Sequence, residues 1–90
     1  MKHATINVSG KVQGVFFRKS ALEKARELGI TGFAQNKSDG TVHIEAEGDE
    51  KKLHQLISWC KEGPLHANVS TVDYSFSSKL KNFSDFQILS

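Results

Sequence analysis

The stretch Gly10-Lys11-Val12-Gln13-Gly14-Val15-Phe16-Phe17-Arg18 constrains this chain more than any other. It must end a strand, turn on glycine and start a helix within one short loop. Gly14 admits backbone torsions that a side chain forbids. The backbone N–H groups of Gln13, Gly14, Val15, Phe16, Phe17 and Arg18 can therefore converge on one point as the helix begins. Such convergence is a cradle for an anion the size of phosphate or sulfate.

Arg18 strengthens that reading. A cation in the first turn of a helix opposes the macrodipole, which favours negative charge there by about 0.3–1 kcal/mol at exposed sites. An anion beside it removes the conflict, and the planar guanidinium matches phosphate oxygens in pairs. The alternative is an exposed arginine whose stem covers apolar surface.

The rest of the chain supplies a scaffold. Ile6 and Val8 alternate with Asn7 and Ser9, so Thr5 to Val12 reads as a strand with one buried face. Phe17, Ala21, Leu22, Ala25 and Leu28 then recur at helical spacing, with Gly29 as the stop. Ile30 to Lys37 reads as a second strand, Ser38-Asp39-Gly40 as a hairpin turn, and Thr41 to Glu47 as a third strand. On that strand Val42, Ile44 and Ala46 share one face; His43, Glu45 and Glu47 share the other, which is expected to be wet.

Asp49 can cap the next helix, whose buried stripe is Leu53, Leu56, Ile57 and Cys60 and whose stop is Gly63-Pro64. Trp59 flanks the stripe as a partly buried ring. Val72, Tyr74 and Phe76 mark a fourth strand, and Phe86-Gln87-Ile88 a short terminal one. The connection from Ser77 to Asp85, with Lys79 and Lys81, reads as solvated. Strand, helix, strand, strand, helix, strand is an α+β, ferredoxin-like two-layer sandwich. Its four-stranded antiparallel sheet has two helices on one face and the short extra strand. Right-handed crossovers place the first and third strands in the centre.

Several function classes drop out. Ninety residues suffice for one domain, 1–90. A net charge of +2 without blocks of like sign gives neither a nucleic-acid arm nor a membrane patch. Cys60 is the only cysteine, so an intrachain disulfide is impossible, and the N-terminus lacks the apolar run of a signal peptide; a cytoplasmic protein is expected. His3, His43, His54 and His66 lack ligand spacing, so no metal site is expected. Glu45, Glu47, Asp49 and Glu50 are explained by solvation and capping. Nothing in the sequence demands a cofactor or an oligomer, and a monomer is expected.

A second stretch, Gly32-Phe33-Ala34-Gln35-Asn36-Lys37-Ser38-Asp39-Gly40-Thr41-Val42, turns the second strand into the third. On spacing alone Asn36 is a turn residue. Taken with the loop at 10–18 and with Gly48, however, this stretch resembles the two signatures of the acylphosphatase family, and the resemblance covers nearly the whole chain. It implies hydrolysis of the carboxyl–phosphate bond of small acyl phosphates, without a metal. Carried over by position, the resemblance puts Arg18 and the 13–18 amides on the phosphoryl oxygens, and Asn36 on the attacking water.

Two positions depart from the family pattern. Many relatives carry a basic residue at Gln35 and a threonine at Ala21, which bears on substrate preference and local stability. One competing reading is a non-catalytic module of the same family that binds phosphate without hydrolysing it. Another is an RNA-binding domain of like strand order, but the open faces of the first and third strands offer no aromatic platform for bases.

Overall fold

A computed structural model describes residues 1–89. The chain runs β1 (Lys2–Lys11), α1 (Phe17–Glu27), β2 (Thr31–Asn36), β3 (Val42–Gly48), α2 (Glu50–Glu62), β4 (Asn68–Ser77) and β5 (Phe86–Leu89). The strands form one sheet in the order β4-β1-β3-β2-β5. β1 to β4 pair antiparallel, and β5 lies parallel to β2. β1 and β3 are interior, and both helices lie on one face in the ferredoxin-like arrangement. β1 starts at Lys2 rather than Thr5, because His3 is paired on both sides, with Glu47 of β3 and Ser77 of β4.

Alternation along the strands builds the sheet side of the core from Ala4, Ile6 and Val8, from Ala34, and from Val42, Ile44 and Ala46, all fully buried. Phe17, Ala21 and Ala25 of α1 and Leu53, Leu56, Ile57 and Cys60 of α2 close it from above. Each large aliphatic side chain so buried contributes about 1.5–3 kcal/mol. Leu22 and Leu28 are only half-buried. Trp59 packs behind the loop, its ring centroid 5.2 Å from that of Phe17. Burial pushes the Cys60 thiol up to about 12, so it is a core residue and not a nucleophile.

The open face differs from the sequence expectation. Glu47 is not solvated: it is 3% exposed and accepts hydrogen bonds from the backbone N–H groups of Lys81 and Asn82. His3 Nδ1 lies 2.7 Å from the same carboxylate. Glu45 contacts Lys81 Nζ at 2.8 Å, His3 Nε2 at 3.2 Å and His43 Nε2 at 3.1 Å. Phe83 sets its ring edge-on against Phe33, with centroids 5.8 Å apart. The 77–85 connection is therefore a strap across the sheet. Alternation tells which residues share a face, but it carries no information about a later loop that covers them. The sheet also gathers His3 and His43, although among the described residues no group of His, Cys, Asp and Glu has metal-binding geometry.

The strap sets a pH dependence. Burial alone would raise the Glu47 carboxyl; the Lys81 amide, His3 and the Asn82 amide outweigh it and hold the group below its ordinary value of 4.5. Glu45 is likewise lowered, with burial opposed by Lys81 and His43. A depressed native value contributes stability that is complete above 4.5 and is lost progressively as pH falls from there through the lowered native value. Thermal melts between about pH 6 and pH 3 should therefore show a steep loss of Tm that Glu47→Gln flattens. Parallel profiles for the two proteins would show that the carboxylate contributes nothing.

Candidate active site

The two helices begin differently, and the difference makes the site. α2 is capped by Asp49, whose side chain accepts from the Lys51 N–H at 3.0 Å. α1 has Phe16 at that position, with no side-chain cap and no acidic residue in the first turn. The first N–H groups of a helix have no intrahelical acceptor, so the start of α1 presents donors to whatever lies beyond it. Gly14, at φ 73°, swings the chain into that geometry, and Phe16 follows in the left-handed region at φ 63°.

Arg18 stands in the first turn of α1, as the sequence indicates. Its Nη1 donates to the Leu89 carbonyl of β5 at 3.3 Å, and it pairs with no carboxylate side chain among the described residues. A neutral carbonyl steers the guanidinium without cancelling its charge. The remaining donors of the fork are left for a ligand.

The loop is fastened to the β2–β3 hairpin by the Gln13 side chain. Its Nε2 donates to the carbonyls of Lys37 at 2.8 Å and Thr41 at 2.9 Å. The hairpin is held in turn by Asp39, whose Oδ1 accepts from the Thr41 hydroxyl at 2.7 Å and the Thr41 N–H at 3.0 Å. Those two bonds keep the Asp39 carboxyl below its ordinary range. Asn36, the last residue of β2, pairs with Val42. Its Oδ1 is buried and has no hydrogen-bond partner among the described residues. An orphaned buried acceptor costs about 1–3 kcal/mol, and such an atom is an acceptor waiting for a donor.

Arg18 and Asn36 line the same cavity, of about 240 Å³, together with Gly14, Phe16, Phe17 and Ile88. Separated by 18 positions in sequence, the two polar side chains meet because β2 runs beside the terminal strand against which α1 packs. Gln13 and Val15 are not in the wall: Gln13 reaches to the hairpin, and Val15 turns its side chain into the core. Lys19 and Ile88 also line the cavity without having been singled out from the sequence. The only signal for Ile88 was its place in the terminal strand, and the parallel pairing of β5 with β2 brings it here. Ala21 is wholly buried in the core, so a larger side chain there would bear on packing.

A model of the acylphosphatase family matches residues 4–88. A protein named acylphosphatase from Shewanella amazonensis is 46% identical over 88 residues, covering 98% of this chain and 97% of that protein. The crystal structure of acylphosphatase from Bacillus subtilis superimposes over the full length of both chains, with a TM-score of 0.98 at 32% identity. An acylphosphatase from Coxiella burnetii gives a TM-score of 0.93 at 41% identity, covering 98% of this chain and 92% of that one. Matches of this extent take in the glycine loop, the hairpin with Asn36 and the terminal strand together, and the chain belongs to the acylphosphatase family.

Proposed function

We propose that this chain is an acylphosphatase that hydrolyses the carboxyl–phosphate bond of small acyl phosphates, giving a carboxylate and inorganic phosphate. The phosphoryl group sits on the backbone amides from Gln13 to Arg18 and on the Arg18 guanidinium. Asn36 holds the attacking water. The observation that carries this reading is that Asn36, whose buried Oδ1 has no hydrogen-bond partner among the described residues, lines the cavity that Arg18 also lines.

The chemistry needs little more. Water donates one hydrogen bond to Asn36 Oδ1 and attacks phosphorus in line, while the P–O bond to the acyl oxygen breaks. Charge on the equatorial oxygens is balanced by amides and one guanidinium, so positioning and electrostatics carry the rate. A carboxylate leaves as a stable anion and needs no general acid. The reaction so drawn needs no cofactor and no metal, since the guanidinium supplies the positive charge. The chain is read as one domain, monomeric and cytoplasmic. Its match to relatives over nearly their whole length supports the single domain, and its lone cysteine, which leaves no intrachain disulfide, agrees with a cytoplasmic location.

The test is hydrolysis of an aromatic acyl phosphate, with chelator present, by the wild type and by Asn36→Ala. The expected result is turnover by the wild type and a loss of about a hundredfold in kcat in the variant, with phosphate still bound. Phosphate binding without turnover in the wild type would identify an inert module instead. A variant as fast as the wild type would remove Asn36 from the water.

A further inference from the structure

Phe16 carries two costs that the fold does not require. Its side chain is 75% exposed, although burial of such a ring is favourable by about 1.5–3 kcal/mol. Its backbone is left-handed, at φ 63° and ψ 26°, which is rare and unfavourable for a bulky residue. Asparagine there would accept that conformation more readily. Among the described residues Phe16 is not part of the hydrophobic cluster and makes no ring–ring contact with another aromatic side chain. What it does instead is line the cavity beside Arg18.

The rest of that cavity is divided by chemistry. The helix start, Arg18 and Asn36 supply the polar groups, while Val12, Phe16, Phe17 and Ile88 supply carbon. Val12 and Phe17 are buried, so the carbon surfaces free to meet a ligand are the Phe16 ring and Ile88, the latter 40% exposed. A phosphoryl group needs none of that surface. The acyl group attached to it does.

We infer that Phe16 is a specificity-determining residue: its ring, with Ile88, receives the acyl portion of the substrate and selects apolar, ring-sized acyl groups over small ones. This rests on the acyl phosphate reading given above. The left-handed backbone directs the ring to the mouth of the cavity, where it stacks on or covers the acyl group once the phosphoryl oxygens are held.

Equilibrium binding tests the inference without turnover. The probes are acetylphosphonate and benzoylphosphonate, in which the acyl carbon is bonded directly to phosphorus and the hydrolysable bridging oxygen is absent. The wild type should bind benzoylphosphonate about tenfold more tightly than acetylphosphonate. Phe16→Asn, which tolerates the same backbone, should reduce that ratio to about twofold, and Phe16→Tyr should restore it. The same ratios should appear in KM for the corresponding acyl phosphates.

Equal affinity of the wild type for the two phosphonates would overturn the inference. So would a Phe16→Asn variant that weakens both phosphonates and inorganic phosphate by one common factor, because the ring would then act only by shaping the loop. A wild type that shows the binding preference but hydrolyses neither acyl phosphate would sink the catalytic reading and leave the assignment of Phe16 standing.

Discussion

Arg18→Lys is expected to lose about a hundredfold or more in kcat/KM on an acyl phosphate, even though the charge is kept. The guanidinium uses Nη1 on the Leu89 carbonyl, at 3.3 Å, and so presents its remaining donors in a fixed direction. Lysine offers one compact ammonium on a flexible stem and cannot make the steering contact and a paired contact to phosphoryl oxygens together. Removing one such donor from a developing oxyanion costs about 2.7–4 kcal/mol. Steady-state kinetics, with inorganic phosphate as competitive inhibitor, give the comparison. A lysine variant within about fivefold of the wild type would mean that charge alone matters, and the paired contact would have to be abandoned.

Gly32→Ala should be the most damaging single-methyl change in the chain. Gly32 sits in β2 at φ 144°, and a Cβ there would lie 1.9 Å from the Glu45 carbonyl oxygen of β3. Relief requires the two strands to part. The residue is also paired with Phe86 of β5, and its N–H donates to the Asp85 carbonyl at 2.9 Å. The expected loss is about 3–5 kcal/mol, from the clash together with the unfavourable torsion. At about 4–8 °C per kcal/mol for a domain of this size, Tm should fall by about 12–40 °C. Gly40→Ala is the control: at φ 91° it carries torsional strain but has nothing within 4 Å to meet, so its loss should be about 1 kcal/mol. Equal losses at both sites would show that torsion, and not strand contact, is what glycine relieves at 32.

The two results bear on one piece of architecture. β2 holds Asn36 at its end and lies between β3 and β5, while β5 supplies both Ile88 and the carbonyl that steers Arg18. Moving β2 therefore disturbs Asn36 together with the strand that supplies Ile88 and steers Arg18. A Gly32→Ala protein that still folds at low temperature should show reduced kcat before it shows any loss of helical signal.

Much of this protein follows from the sequence alone, because the signals are local. Alternation over Ile6 to Val8 and over Val42 to Ala46, helical spacing in Leu53 to Cys60, the Asp49 cap and the glycine turn at 14 each depend on residues within a turn or two of one another. Arg18 was legible for the same reason: its conflict with the start of α1 is contained in one helical turn.

Asn36 was not legible on its own physics, since a turn asparagine and a buried one have the same spacing. Only the tertiary structure buries its Oδ1 without a partner among the described residues and brings Asn36 into the cavity that Arg18 lines. The burial of Glu47 under the strap, the parallel docking of β5 and the Gln13 staple are likewise tertiary. Each joins segments at least 24 residues apart, and no periodic pattern carries information over that distance. Local preference sets which elements form, whereas the pairing of distant strands decides which of their side chains share a cavity.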